Sequence, residues 1–389
     1  MIRRCLAILF ALLFVCLTVS SAGENKKTRV PDCLCSDKPI SSNQVSQKDY
    51  PYIVRWVDEH AKSAQDYVVQ LFDKHQIVIF GEEHNVKEHK DFVIDLIPRL
   101  YHEAGVKCIG WEFSWYSQNE QLEELINAPT YDDNAALQLA REHSPDWNSK
   151  EHWEIIKAVW KLNQSLRPES EKMRLIGVSD YIDIPGSYVL LKTKSANSPE
   201  FQEMLREHIK YDKGIAQHVE KEILQKKRKG FLFFGMGHDW TQYQYPPEAT
   251  FGLSYKPMGK YLKEKHGDKI FQIRAQASSD PSIINRIMKF RNHASVGFNM
   301  HESPFTNILV PVGKGAPDVP LSKLAEGYLY LKSRASLHSN TTIKGYVTES
   351  MFHKYKEYYE VCFGNGRNFD SAEEVDRYLQ QHRWPEANR

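Results

Sequence analysis

The sequence predicts an α/β protein with a mainly parallel central sheet, helices on both faces and an extra α+β segment at its C-terminal end. Three observations carry this. Short apolar runs of strand length alternate with longer stretches of helical periodicity, the pattern of crossover connections between parallel strands. The strands are apolar along their whole length, as expected of a sheet covered on both faces. Four of them end in acid or histidine: Gly81-Glu82-Glu83-His84, Trp111-Glu112, Ser179-Asp180 and Gly235-Met236-Gly237-His238.

In chain order, a helix is expected over 52–74, with Val54, Val57, Ala61, Ala64, Val68 and Leu71 on one stripe. Gln76–Phe80 reads as the first strand, and Gly81 as a sharp exit from it. A helix over 88–103 carries Phe92, Val93, Leu96, Ile97 and Leu100, with Pro98 as a kink and Asn85 as its N-cap. The second strand runs from Val106 to Phe113. Helices fill much of 117–166, where Trp147, Trp153 and Trp160 read as core packing. Met173–Val178 is the third strand. A long helix over 199–229 ends in the basic run Lys226–Lys229, with Gly230 as its C-cap residue. Phe231–Gly235 and Lys269–Ala275 are the fourth and fifth strands. Beyond residue 281, strands at Ile308–Val312 and Gly327–Leu331 and helices over 347–361 and 371–382 make up the α+β segment.

Arg3 and Arg4, the apolar run Leu6–Val19 and the small residues Ser20-Ser21-Ala22 read as a signal peptide over 1–22. The expected location is therefore secreted or periplasmic. A membrane anchor is the less favoured reading because the run is short for a span, and no transmembrane span is expected after signal removal. Leu13-Phe14-Val15 before Cys16 lacks the small residue of a lipoprotein signal. Residues 23–50, polar and without periodicity, read as a linker or extended arm, and 51–389 as a single domain. Signal removal would leave Cys33, Cys35, Cys108 and Cys362, of which Cys108 reads as buried in a strand. A net charge of +1 offers no general attraction to nucleic acid.

Parallel strands open their carboxyl ends into one crevice, where α/β proteins place ligands. Glu82, His84, Glu112 and His238 are thus expected to converge despite their separation in sequence, with Glu83, His89, Asp180 and Asp212 in support. Histidine and carboxylate together suit proton transfer, metal binding or both. There is no Gly-x-Ser-x-Gly elbow and no His-Glu-x-x-His helix, so any hydrolytic centre would be a dispersed one.

The ordered motifs Gly81-Glu82-x-His84-Asn85-x-x-x-His89, Glu112 and Gly235-x-Gly237-His238 resemble the superfamily joining ChaN-like haem-uptake lipoproteins, Tiki proteases and erythromycin esterases. Tyr211-Asp212-Lys213-Gly214-Ile215-Ala216 is similar to the Arg-Asp-x-x-Met-Ala helix of those relatives, with Tyr211 replacing the arginine and Ile215 the methionine. The resemblance covers residues 76–240 and implies an α/β fold with a rim of histidines and acids. In the esterase branch it implies water activation by His84; in the Tiki branch, peptide hydrolysis with a divalent metal; in the ChaN branch, haem binding.

The expected function is an exported hydrolase cleaving an ester or amide bond of a small-molecule or peptide substrate. His84, Glu82, Glu112 and His238 would be the catalytic set. If a metal binds, zinc, manganese or cobalt on His84, His238 and Glu82 is the expected centre. The alternative is a haem- or metal-binding uptake protein without catalysis.

Overall fold

The structure, a computed structural model, describes residues 38–250, 254–312, 316–364 and 367–383. The expected signal peptide, Cys33 and Cys35 lie outside them.

Among the described residues, ten strands form two sheets: β1 (Lys62–Ser63), β2 (Ile77–Glu82), β3 (Cys108–Trp115), β4 (Arg174–Ser179), β5 (Gly230–Gly235), β6 (Ile270–Ala275), β7 (Val296–Asn299), β8 (Leu309–Val310), β9 (Val319–Pro320) and β10 (Gly327–Tyr330). The main sheet has the order β1-β7-β10-β6-β2-β5-β3-β4, and β8 pairs with β9 in a small ribbon. From β10 to β4 the pairing is parallel; β7 and β1 close one edge in antiparallel fashion. The α/β class, the mainly parallel sheet and the C-terminal α+β region are therefore as the sequence predicts.

Alternation along each strand divides the core in two. Val78 and Phe80 of β2, Ile109 and Trp111 of β3, and Phe231 and Phe233 of β5 pack against the helices Lys87–His102 and Lys150–Ser165. Ile77, Ile79, Ile176, Val178, Leu232 and Phe234 face the other way, against Ile215 and Val219 of the helix Pro199–Val219 and Met258 and Leu262 of Met258–His266. Each such side chain removed from water contributes about 1.5–3 kcal/mol before its ordering cost. A third cluster joins β7 and β10 to the helices Tyr50–His60 and Ser282–Lys289.

Several local expectations are corrected. The helix over 52–74 is two helices, Tyr50–His60 and Ala64–Leu71, because Lys62 and Ser63 pair with β7. Gly81 does not turn the chain; β2 runs through it to Glu82. The helix after β2 begins at Lys87 with Val86, not Asn85, at the cap. The long helix over 199–229 stops at Val219 and passes through a π-helical turn, Glu220–Leu224. Lys227, with φ 55°, supplies the left-handed residue there, and Gly230 opens β5 instead of capping a helix. Residues 42–44 and 47–49, in the stretch read as an arm, form 3₁₀ turns, and Ile40 bridges to Ile308.

Candidate functional site

The strand order places a switch point at β2, whose neighbours β5 and β6 lead to opposite edges of the sheet. Register aligns Glu82 with Gly235, and Trp111 with Phe233 one strand further on. The β3–β4 register shifts between Trp111 and Trp115, an irregularity of the kind that re-aims side chains at a sheet rim. Glu112 lies in that stretch, and its carbonyl accepts from the Ser179 hydroxyl at 3.0 Å.

The strand ends open into a cleft of about 610 Å³ lined by His84, Glu112, Asp212 and His238, with Phe113, Trp147, Tyr188 and Tyr358 among its walls. Glu82 lies beneath His84: its Oε1 is 2.5 Å from His84 Nδ1 and 3.2 Å from His152 Nε2. Its second oxygen forms an ion pair with Lys90. Burial would raise the Glu82 pKa, but Lys90 first, then His84 and His152, hold it well below the usual carboxylate range. An ionised Glu82 can only accept hydrogen bonds, so the His84 contact fixes a proton on Nδ1 and leaves Nε2 as the basic nitrogen.

Lys90 is completely buried and has four acceptors about it. Besides Glu82 these are the carbonyls of Glu83 (3.1 Å), His84 (2.8 Å) and Val86 (3.1 Å). Burial lowers its pKa and Glu82 opposes that shift. A site with four acceptors and no donor suits an ammonium group, whose three N–H bonds are shared among them, and we assign that form.

Across the cleft, Glu112 Oε2 accepts the backbone N–H of Gly235 at 2.5 Å, and its Oε1 is 3.7 Å from His238 Nε2. His238 Nδ1 donates to Asp212 at 2.9 Å. Asp212 also accepts from the Tyr255 hydroxyl at 2.6 Å and the Met258 N–H at 2.9 Å. Burial works against a charge on His238, but Asp212, assisted by Glu112 and Asp239, raises its pKa to about 10. His238 is therefore an imidazolium at neutral pH. Gly237, with φ 115°, makes the turn that delivers it.

The remaining sequence candidates lie elsewhere. His89 is buried behind the site: Nδ1 accepts the Glu83 N–H and Nε2 donates to the Gln276 carbonyl. Burial lowers its pKa to about 4, so it is a neutral structural group that does not line the cleft. Glu83 binds the N–H and hydroxyl of Ser278. Asp180 pairs with His218 at 2.8 Å, half-exposed and off the cleft. Of the three tryptophans read as core, Trp153 is buried, Trp160 half-buried, and Trp147 meets the His84 ring edge-to-face at 4.8 Å.

Lys90 and His152 were not anticipated, yet each leaves a sequence signal. Lys90 falls on the helical stripe of Val86, Val93 and Ile97, and His152 on that of Ile155, Ile156 and Val159; a polar group on such a stripe is buried and needs a partner.

The expected metal set is not brought together as such. Among the described residues, the group whose ligand atoms all lie within 4.8 Å of one another is Glu82, His84 and His152, a spacing that could hold a metal ion. His238 is not in it; its Nδ1 is committed to Asp212 at 2.9 Å. The Lys90 ammonium already neutralises the shared carboxylate, so a dication there would face a buried cation. With Lys90 in place, the donor set does not fit a resident metal.

Neither the family models nor the curated proteins compared with the chain give a match. Solved structures do. A Bacillus cereus protein is 14% identical, with 79% of this chain and all of that one covered and a TM-score of 0.50. A succinoglycan biosynthesis protein is 12% identical over 74% of this chain and 98% of its own, at a TM-score of 0.53. These two likenesses are of fold alone. An open-form erythromycin esterase EreC mutant (12% identity, 68% and 92% covered, TM-score 0.43) is also a neighbour. So is haem-bound ChaN of Campylobacter jejuni (13% identity, 69% and 91% covered, TM-score 0.38).

Proposed function

We propose that this chain is an exported hydrolase that cleaves an ester or amide bond with water activated by His84. The observation that carries the reading is the 2.5 Å contact between Glu82 Oε1 and His84 Nδ1 at the wall of a cleft that also holds the His238 imidazolium.

Glu82 orients the ring and stabilises the positive charge that forms when Nε2 takes a proton from water. The resulting hydroxide adds to the substrate carbonyl. His238 offers positive charge from Nε2 to the oxyanion, prearranged by Asp212. Collapse of the tetrahedral intermediate breaks the bond to the leaving oxygen or nitrogen, which receives the proton held by His84. Glu112, fixed by the Gly235 N–H, sits beside His238 and orients it. The aromatic walls suit a substrate with an apolar body, either a small molecule or a peptide.

Purified protein assayed on ester and peptide panels should turn over at least one substrate. His84→Ala should lower kcat by about 10²–10⁴ with KM changed little. Activity untouched by that substitution would remove His84 from the chemistry. A stoichiometric Soret shift on haemin titration, without turnover, would favour ligand uptake instead.

A further inference from the structure

The structure assigns Lys90 the role that a metal ion would fill in a Glu/His/His centre: from the far oxygen of the carboxylate, its ammonium is a built-in cation that charges Glu82 and positions His84. The inference rests on the reading of His84 as the base, and it goes beyond that reading by naming what takes the metal's role.

Three observations converge on it. Glu82, His84 and His152 present ligand atoms at metal-binding spacing, two imidazoles and a carboxylate being a set that holds zinc or cobalt elsewhere. Lys90, with no exposed surface, is ion-paired to the carboxylate they share. Its other contacts are the carbonyls of Glu83, His84 and Val86, the backbone that carries His84 from β2 into the following helix.

One side chain thereby does two things a dication would otherwise do. It compensates the buried negative charge of Glu82, which would be costly alone. It also gathers three carbonyls of one loop, and so fixes where the His84 ring stands. The difference from a metal lies in geometry. A metal would take a lone pair from an imidazole nitrogen, whereas an ammonium beyond the carboxylate leaves His84 hydrogen-bonded to Glu82 at Nδ1 and basic at Nε2. His152, its Nδ1 2.8 Å from the Ser149 hydroxyl and its Nε2 turned to Glu82, completes the surround without coordinating. Lys90 is therefore a positioning residue, not one that touches substrate.

Cobalt(II) titration of the full-length protein tests this directly, since tetrahedral cobalt bound to imidazole has intense visible absorption. Wild-type protein is expected to show no such band and, after dialysis, no stoichiometric zinc, manganese or cobalt. Lys90→Met keeps the length of the side chain and removes its charge. It is expected to bind one cobalt per chain at least about tenfold more tightly than wild type, the scale on which groups around a metal centre act. Adding His152→Ala should abolish that gain.

Wild-type protein holding one metal per chain, lost on His84→Ala or His152→Ala, would overturn the proposal whatever the variant does. A folded Lys90→Met that binds cobalt no better than wild type would also overturn it. Should that variant not fold, nitrogen-15 NMR of wild type decides. Persistence of the Nδ1–H tautomer of His84 through chelator treatment supports the assignment, and its loss refutes it. These readouts concern metal content and one ring, so a failure to find any hydrolysed substrate would sink the hydrolase reading without touching them.

Discussion

The His84 ring lies against the Cα of Gly235, so that a methyl group added there would stand 2.6 Å from His84 Nε2 and overlap the ring. The close approach puts the proposed base over the end of β5. Gly235→Ala should displace a half-exposed ring more easily than it strains the sheet. The expected result is a loss of kcat/KM of about 10²-fold, the cost of an ångström-scale misplacement. Thermal stability should fall by no more than about 1–3 kcal/mol. Steady-state kinetics with a parallel melting curve check it; equal loss in both would point to general misfolding.

The Asp212–His238 pair sets an alkaline boundary. His238 has a folded pKa raised to about 10, against 6.5 for the free side chain. Its contribution to stability is therefore complete below pH 6.5 and disappears as pH rises towards 10. Melting temperatures of wild type and His238→Gln, measured across that window, should converge at the alkaline end.

Asp212→Asn removes the charge that keeps His238 protonated while preserving most of the geometry. The alkaline limb of the activity profile should move down towards neutrality, and kcat should fall more than KM rises. An unchanged limb would show that His238 is not the group titrating there.

Acid should unfold the protein through three buried neutral histidines. Burial leads the lowering in each case, to about 4 for His89 and about 3 for His143 and His152. A depressed histidine supports the fold above pH 6.5 and withdraws that support as pH falls towards 3–4. His143 packs between aromatic rings, with Trp115 at 4.4 Å, and neither of its nitrogens makes a hydrogen bond of ordinary geometry. His143→Phe should therefore shift the acid unfolding midpoint to lower pH, as followed by circular dichroism.

Much of this architecture is legible in the sequence. Apolar runs bounded by Gly81, Glu112 and Gly235 identify strands buried on both faces, and parallel pairing then forces their ends together. His84, Glu112 and His238 accordingly line one cleft. The failures have a common cause: a strand-end motif states where a side chain starts, not which way it turns. His89, one helical turn beyond His84, rotates into the interior and is captured by the Gln276 carbonyl. Asp180 shares the strand-end position but meets His218 on the outside. Lys90 and Trp147 reach the site from a helix and a loop whose approach depends on tertiary packing, and Tyr255 meets Asp212 across 43 residues.

The order of strands also dictates a sequence of events during synthesis. β5 separates β2 from β3, although β3 and β4 leave the ribosome first. A nascent chain that ends before residue 230 therefore holds the β3–β4 pair and an unpaired β2 with nothing to join them and with edges open to wrong partners. Arrival of the segment Gly230–Gly235 zips them together, and the same strand carries the backbone amide that anchors Glu112. Joining β2 to β3 and anchoring Glu112 are one event.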